Sequence, residues 1–358
     1  MATNICAAEK KMLIGSAWQF LEFQSRAVDI FAEQIDSDNN IFIISAAQIR
    51  ENATRSINFF EETIPRYSFD EFRQHFRLTR PSFEIILTYL GSMEGQGPTN
   101  KGRKQIPLEK ELLVTLWYLG NLESIRSISD RFNITRSSVY KCTRKFCRTI
   151  LSYLTPKFIR WPTLSGPDIL LKVRSGFSSL PGCVGVIDST HIPIKSPHED
   201  EGSYINRKGF HSLILQGICD DKRKFTDVFC GCTGRCHDAT VLRSAPIYEE
   251  ISKNKEKYIP EISYIIGDQA YPLLNWLMKK FPETGTLSTE KCLFNKCLSA
   301  KRQLIEQTFG ILKGRFRKLK FMDISKTIDI PEIVIAACTL HNICSDTEED
   351  LAFFFGNG

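Results

Sequence analysis

The feature that most constrains this chain is a change of hydrophobic period near residue 165. From about residue 16 to 93, apolar residues recur at helical spacing, as in FLEFQSRAVDIFAEQI and FDEFRQHFRLTRPSFEIILTYLG, where Thr79 caps and Pro81 opens a fresh helix. MEGQGPTNKGRKQIP (Met93–Pro107) reads as a loop, and LEKELLVTLWYLG from Leu108 is a further helix stopped by Gly120. Beyond TPKFIRWPTLSGP (Thr155–Pro167) the pattern changes. CVGVIDSTHIPIK, FHSLILQGICDD, FTDVFCGCTG and SYIIGDQAY are short β-branched or aromatic runs bounded by Gly, Asp and Pro, and these read as strands.

The first three strands lie close together in sequence and suit an antiparallel meander. HDATVLRSAPIYEEISK then reads as one helix before the fourth strand. That order, continued by further helices, is the order of an RNase-H-like domain. The predicted fold is therefore α/β: an RNase-H-like mixed-sheet domain over 165–345, preceded by a mostly helical region. The other predicted divisions are a helical N-terminal region over 1–107, a DNA-binding region over 108–160 and an acidic tail over 346–358.

Length and composition agree with two globular parts. The chain has 358 residues, 42% hydrophobic and 25% charged, which is ordinary for folded domains. No apolar run approaches the roughly 20 residues of a membrane helix, and MATNICAAEKKM lacks the layout of a signal peptide. The expectation is an intracellular protein with no membrane partner, whose twelve cysteines are reduced and behave as small hydrophobes. The net charge of +6 is modest, but cations cluster in KGRK (Lys101–Lys104), RKFCR (Arg144–Arg148) and KGRFRKLK (Lys313–Lys320). Such clusters are either solvated faces or a nucleic-acid footprint.

SIRSISDRFNITRSSVYKCTRKFCRTIL (Ser124–Leu151) has the outline of a helix-turn-helix, with its turn at Asn133–Thr135. Its second helix would project Arg136, Ser137, Ser138, Lys141 and Arg144 toward a DNA groove. A plain helical hairpin packed on its neighbours satisfies the same pattern.

Three acids stand apart. Asp188 interrupts the first strand, Asp268 ends the fourth, and Glu306 lies in SAKRQLIEQTFGILKGRFRKL. That helix has an apolar face of Ile305, Phe309, Leu312 and Phe316; the face through Glu306 carries Gly310, Lys313 and Arg317. Clustered buried carboxylates raise one another's pKa unless a cation intervenes, and Mg²⁺ or Mn²⁺ accepts such hard oxygen ligands. Two ions roughly 3.5–4 Å apart suit in-line displacement at phosphorus. Lys313 and Arg317 would then follow the DNA phosphates. Taken singly, each acid could equally cap a helix or join a surface ion pair.

PGCVGVIDSTHIPIKSP, YINRKGFHSLILQGICD, GRCHDATVLRSAPIY, IIGDQAY, AKRQLIEQTFGILKGRFRKL and CTLHNIC, in this order over about 165–345, resemble the PIF/Harbinger transposase family and the nucleases domesticated from it. The resemblance implies a DDE triad at Asp188, Asp268 and Glu306. It also implies a further metal ligand at Asp238, although an Asp opening a helix is equally suited to be an N-cap. Further implications are a metal-dependent nuclease or strand-transfer activity with Mg²⁺ or Mn²⁺, double-stranded DNA as substrate, a nuclear location with a cytoplasmic share, a Myb/SANT-like partner and a homodimer. Arg207 and Lys208 of YINRKG form either a hairpin turn or a clamp on DNA phosphate. The rival class is a domesticated, non-enzymatic DNA-binding or chromatin-associated protein that keeps the fold.

Other groups are weaker candidates. Cys230, Cys232, Cys236 and His237 lack a second ligand pair at structural-zinc spacing. A phosphoaspartate role for Asp188 would need a second Asp two residues on, where Thr190 stands. His191, three residues from Asp188, should face the other side of the strand.

Overall fold

The computed structural model describes residues 56, 58–91, 105–162, 176–260, 263–283, 285, 287–324 and 326–347. The helix expected from residue 16, the KGRK cluster and most of the acidic tail lie outside these residues. Residues 56–358 group as one compact unit.

The helical part includes α1 (Phe69–Phe76) and α2 (Arg80–Gly91). A capping box starts α1: Ser68 accepts from the Glu71 amide and the Glu71 side chain accepts from the Ser68 amide. Helix α3 (Leu108–Gly120) is buried continuously from Leu112 to Gly120, so it runs through the core. Next come α4 (Ile125–Arg131) and α5 (Arg136–Thr149), whose N-caps are Ser124 and Thr135. The turn between them places Asn133 at φ 49°, a left-handed conformation that Asn tolerates better than most residues.

The second part is a five-stranded sheet in the order β3-β2-β1-β4-β5. Its strands are β1 (Cys183–Pro193), β2 (Ser212–Cys219), β3 (Phe225–Thr233), β4 (Tyr264–Ile266) and β5 (Leu277–Met278). β1, β2 and β3 form the predicted antiparallel meander, and β4 pairs with β1 in parallel. β5 was not expected, because two residues cannot display a period. The predicted 237–253 helix is two helices, α6 (Asp238–Ser244) and α7 (Pro246–Lys253). Pro246 lacks the N–H that would continue the first, and its fixed φ suits the start of the second.

Helix α8 (Thr289–Arg315) lies along the sheet. Gly217 makes that contact close: it pairs with Asp188 across the strands, and a Cβ there would lie 3.3 Å from the Phe309 ring of α8. The last helix, α9 (Ile330–Asp346), is long and apolar enough in composition to cross a membrane, with the preceding turn. It serves instead as a core element, with Val334, Ala336, Ala337, Cys338, Leu340 and Cys344 fully buried.

Helical region and sheet share this core. Asn342 of α9 donates to the Phe158 and Phe225 carbonyls, and Arg315 at the end of α8 donates to the Arg77 carbonyl beyond α1. Among the described residues every cysteine is a free thiol, and most are buried, in line with the sequence expectation.

Candidate active site

Parallel pairing of β1 and β4 aligns Val186 with Ile266. Two residues further along each strand stand Asp188 and Asp268. Register alone therefore brings these acids to the same level on neighbouring chains, which run roughly 4.8 Å apart within a sheet. Asp268 lies two residues beyond the last residue of β4, and its Oδ1 accepts from the Ala270 amide at 2.8 Å. This is the carboxyl end of the parallel pair, where open α/β sheets present ligand-binding residues.

The faces of β1 divide the neighbours. On the α8 face, Asp188 Oδ2 accepts from Arg302 Nη2 at 2.8 Å, and Thr190 Oγ1 accepts from Lys313 Nζ at 2.7 Å. On the other face, Ser189 and Tyr271 share a hydroxyl hydrogen bond of 2.8 Å, and His191 Nδ1 lies 3.0 Å from Ser212 Oγ. His191 and Asp188 thus point to opposite sides, as strand alternation requires.

Asp238 joins the second face. It occupies the first position of α6; the N-cap residue is His237, whose side chain makes no cap hydrogen bond. The Asp238 carboxylate is hydrogen-bonded by Ser189. A carboxylate only accepts, so in that bond the Ser189 hydroxyl is the donor. The N-cap position that the sequence left open to Asp238 falls to His237.

These acids feel one another. Burial pushes the Asp188 carboxyl up against the pull of the Ser189 amide and Arg302, and Asp268 pushes it further. Burial also raises Asp238, with Asp268 again adding repulsion. The Tyr271 hydroxyl is held well above its usual range by burial, against its bond to Ser189, and by the charges of all three Asp residues. The common cause is negative charge gathered where water is scarce.

Glu306 stands apart. It is 57% exposed, and its contact is with Arg302, one turn earlier on α8, at 3.5 Å. Arg302 thus links Asp188 to Glu306. Among the described residues no three His, Cys, Asp or Glu side chains converge closely enough to hold a metal ion, which applies equally to Cys230, Cys232, Cys236 and His237. The donor chemistry nonetheless fits a divalent ion: hard carboxylate oxygens, partly buried and mutually repelling. Arg302 supplies positive charge at that point.

The predicted DNA contacts fall into two groups. Arg207 and Lys208 are exposed at the tip of a turn built by buried Asn206, whose Oδ1 accepts from the Lys208 and Phe210 amides, and by Gly209 at φ 80°. Arg207 lies 2.6 Å from His237 Nδ1, beside Asp238. Arg136, Ser137 and Lys141 are exposed on α5. Arg144, by contrast, pairs with buried Asp329 at 2.8 Å, and Tyr140 bonds the same carboxylate. Lys313 is turned inward to Thr190 and the His191 carbonyl, and burial lowers its pKa to about 8. Arg317 does not continue the Glu306 face, because α8 ends at Arg315 and Arg317 opens a tight 3-10 turn.

Sequence reasoning overlooked Arg302, Ser189 and Tyr271. Arg302 was available as the residue one helical turn before Glu306. Tyr271 ends the IIGDQAY run, but nothing in its spacing reveals a bond to β1.

A family profile described as DDE superfamily endonuclease matches residues 187–342. The chain is 27% identical over 301 residues to the Mus musculus protein named "Putative nuclease HARBI1", covering 81% of this chain and 83% of that protein. It is 29% identical over 294 residues to the Homo sapiens protein of the same name, covering 78% of this chain and 80% of that one. "Protein ALP1-like" of Arabidopsis thaliana is 28% identical over 297 residues, covering 78% of this chain and 71% of the relative. No solved structure matches.

Proposed function

From a chain that carries a DDE superfamily endonuclease domain and is homologous to the Harbinger transposase-derived nuclease and to ALP1-like proteins, we propose a DNA nuclease that depends on divalent metal and acts through Asp188, Asp268 and Glu306. The observation that carries this reading is the register of β1 and β4, which sets Asp188 beside Asp268 at the carboxyl end of the parallel pair. The raised affinity of Asp188 and Asp238 for protons supports it, because a site that binds protons too readily for a carboxylate also gains by binding a cation.

In this reading Asp188, Asp268, Asp238 and Glu306 hold Mg²⁺ or Mn²⁺. Bound there, such ions supply the charge that makes water a competent nucleophile and stabilises the leaving oxygen of a phosphodiester. The protein's own residues prepare the rest. Ser189 and Tyr271 fix the direction of Asp238. Arg207 and Lys208 stand exposed at the tip of their turn to take backbone phosphate. Lys313 braces β1 against α8 from within. Helices α4 and α5 act as a helix-turn-helix that presents Arg136, Ser137 and Lys141 to duplex DNA, with Arg144 tied back to Asp329. Strand transfer by a freed 3′-hydroxyl, a homodimer that handles two DNA ends, a Myb/SANT-like partner and nuclear action complete the proposal.

The test is cleavage of duplex DNA bearing terminal inverted repeats by purified protein in Mn²⁺. Asp188→Asn and Glu306→Gln should each lower the rate roughly 100- to 1000-fold, the scale on which charge-stabilising groups act. Equal cleavage by wild type and variants, or none by folded wild type, removes the enzyme reading. The second reading, a DNA-binding chromatin protein without catalysis, is favoured by the absence of a converged ligand set among the described residues. It expects duplex binding that weakens steeply with salt and is indifferent to both substitutions.

A further inference from the structure

Arg302 is the one cation in hydrogen-bonding contact with the proposed ligand Asp188 among the described residues, and the manner of its contact is unusual. An arginine that clamps a carboxylate firmly uses two parallel N–H donors. Here Nη2 alone makes both contacts, to Asp188 Oδ2 at 2.8 Å and to Glu306 Oε1 at 3.5 Å. Its Nε is buried and has no hydrogen-bond partner among the described residues. The side chain is only 21% exposed, so water does little to compensate that donor. The guanidinium is therefore held by charge more than by geometry.

The surroundings explain why a cation is there at all. Asp188 is partly buried and repelled by Asp268. Without a counter-ion, a carboxylate so placed takes up a proton. Helical spacing delivers the counter-ion: Arg302 precedes Glu306 by one turn, so it reaches Glu306 along α8 and Asp188 across to β1. Arginine cannot leave such a site by losing its proton, because it stays ionised at all ordinary pH. It leaves only by swinging away.

We propose that Arg302 is an internal stand-in for the metal: its guanidinium offsets part of the charge of Asp188 and Glu306 in the ion-free protein, and a divalent ion binds by displacing it from Asp188. The inference rests on the reading of Asp188 and Glu306 as ion ligands. It makes Arg302 a positioning residue that sets how tightly the site holds its ion, and it explains why the acids remain unconverged around a single point. Glu306 stays outward while Arg302 occupies the space between it and β1.

The experiment is calorimetric titration of Mn²⁺ into the full chain without DNA, for wild type, Arg302→Gln, Arg302→Lys and Asp188→Asn, with circular dichroism to confirm equal helicity. Arg302→Gln removes the competing charge and should bind Mn²⁺ about tenfold more tightly, within the usual range of coupling between two ligands of one site. Arg302→Lys restores the charge and should bind as weakly as wild type. Asp188→Asn should lose the binding. If wild type binds and Asp188→Asn does not, yet Arg302→Gln binds equally or more weakly, the stand-in role is overturned while the metal site survives. If wild type and Arg302→Gln both fail to bind Mn²⁺, the metal reading falls and takes this inference with it.

Discussion

The two faces of β1 solve the same electrostatic problem differently. Toward α8, Asp188 is matched by the Arg302 guanidinium, and Lys313 lies two residues further along the strand on Thr190. Toward α6, Asp238 is held by the Ser189 hydroxyl, which is backed by Tyr271, whose own hydroxyl donates to the fully buried Gln216 at 3.4 Å. One face answers negative charge with fixed positive charge, the other with oriented dipoles. A charge partner can be exchanged for another cation, whereas a hydroxyl chain can only aim its carboxylate. On the proposed reading, the first face governs whether an ion enters, and the second where Asp238 points once it has.

The sharpest way to break this contrast is to cut the hydroxyl chain. Ser189→Ala leaves Asp238 unaimed, and Tyr271→Phe removes the hydroxyl that holds Ser189 in place. Each should weaken Mn²⁺ binding roughly 10- to 100-fold, the usual cost of losing an outer partner of a metal ligand, with the Ser189 change the larger. Calorimetry against Asp188→Asn provides the scale. Unchanged affinity in both variants would mean that Asp238 is not held for an ion.

A second test addresses Lys313. Burial lowers its folded pKa to about 8, below the usual lysine value of 10.5. Between those values the unfolded chain binds more proton than the folded one, so this residue's contribution to stability rises with pH across that window. Wild type compared with Lys313→Met should therefore gain about 1–3 kcal/mol as pH rises from 8 to 10. Denaturant titrations of both proteins at each pH measure it; a difference that stays flat would mean that Lys313 is not buried as described.

The smallest effect concerns Asp238 itself. Its folded pKa is raised by burial and by Asp268, so the stability it contributes is present at low pH and lost as pH rises through that folded value. At pH 7 without metal, Asp238→Asn should stabilise the protein by up to about 1 kcal/mol, and the gain should vanish below the ordinary carboxylate range. Thermal melts at pH 7 and pH 3.5 report it. Destabilisation at pH 7 would show that the charge is needed by the fold.

Much of this arrangement was legible in the chain because it rests on short-range rules. Alternation located β1, β2 and β3, and Ser124, Thr135 and Gly120 marked the helix limits where α3, α4 and α5 begin or end. Asp188 and Asp268 stood out because each interrupts or ends an apolar strand. β5 was invisible because two residues carry no period. The break at Pro246 was written in the sequence but was passed over within an otherwise helical pattern. Sequence spacing points Arg144 and Lys313 outward, but a cation's partner depends on what packs opposite, here Asp329 and Thr190.

By itself, the sequence determined the helical half, the strand meander and which acids and cations the chain has to spend, since propensity, period and capping act over a few residues. Only tertiary structure decided what those charges meet. The parallel register of β4 on β1 puts Asp268 beside Asp188, the face of α8 delivers Arg302 between Asp188 and Glu306, and the far side of β1 turns Asp238 from a helix cap into a partner of Ser189. Those outcomes depend on contacts between residues up to 114 positions apart, where local pattern carries no information and the balance of burial and charge does.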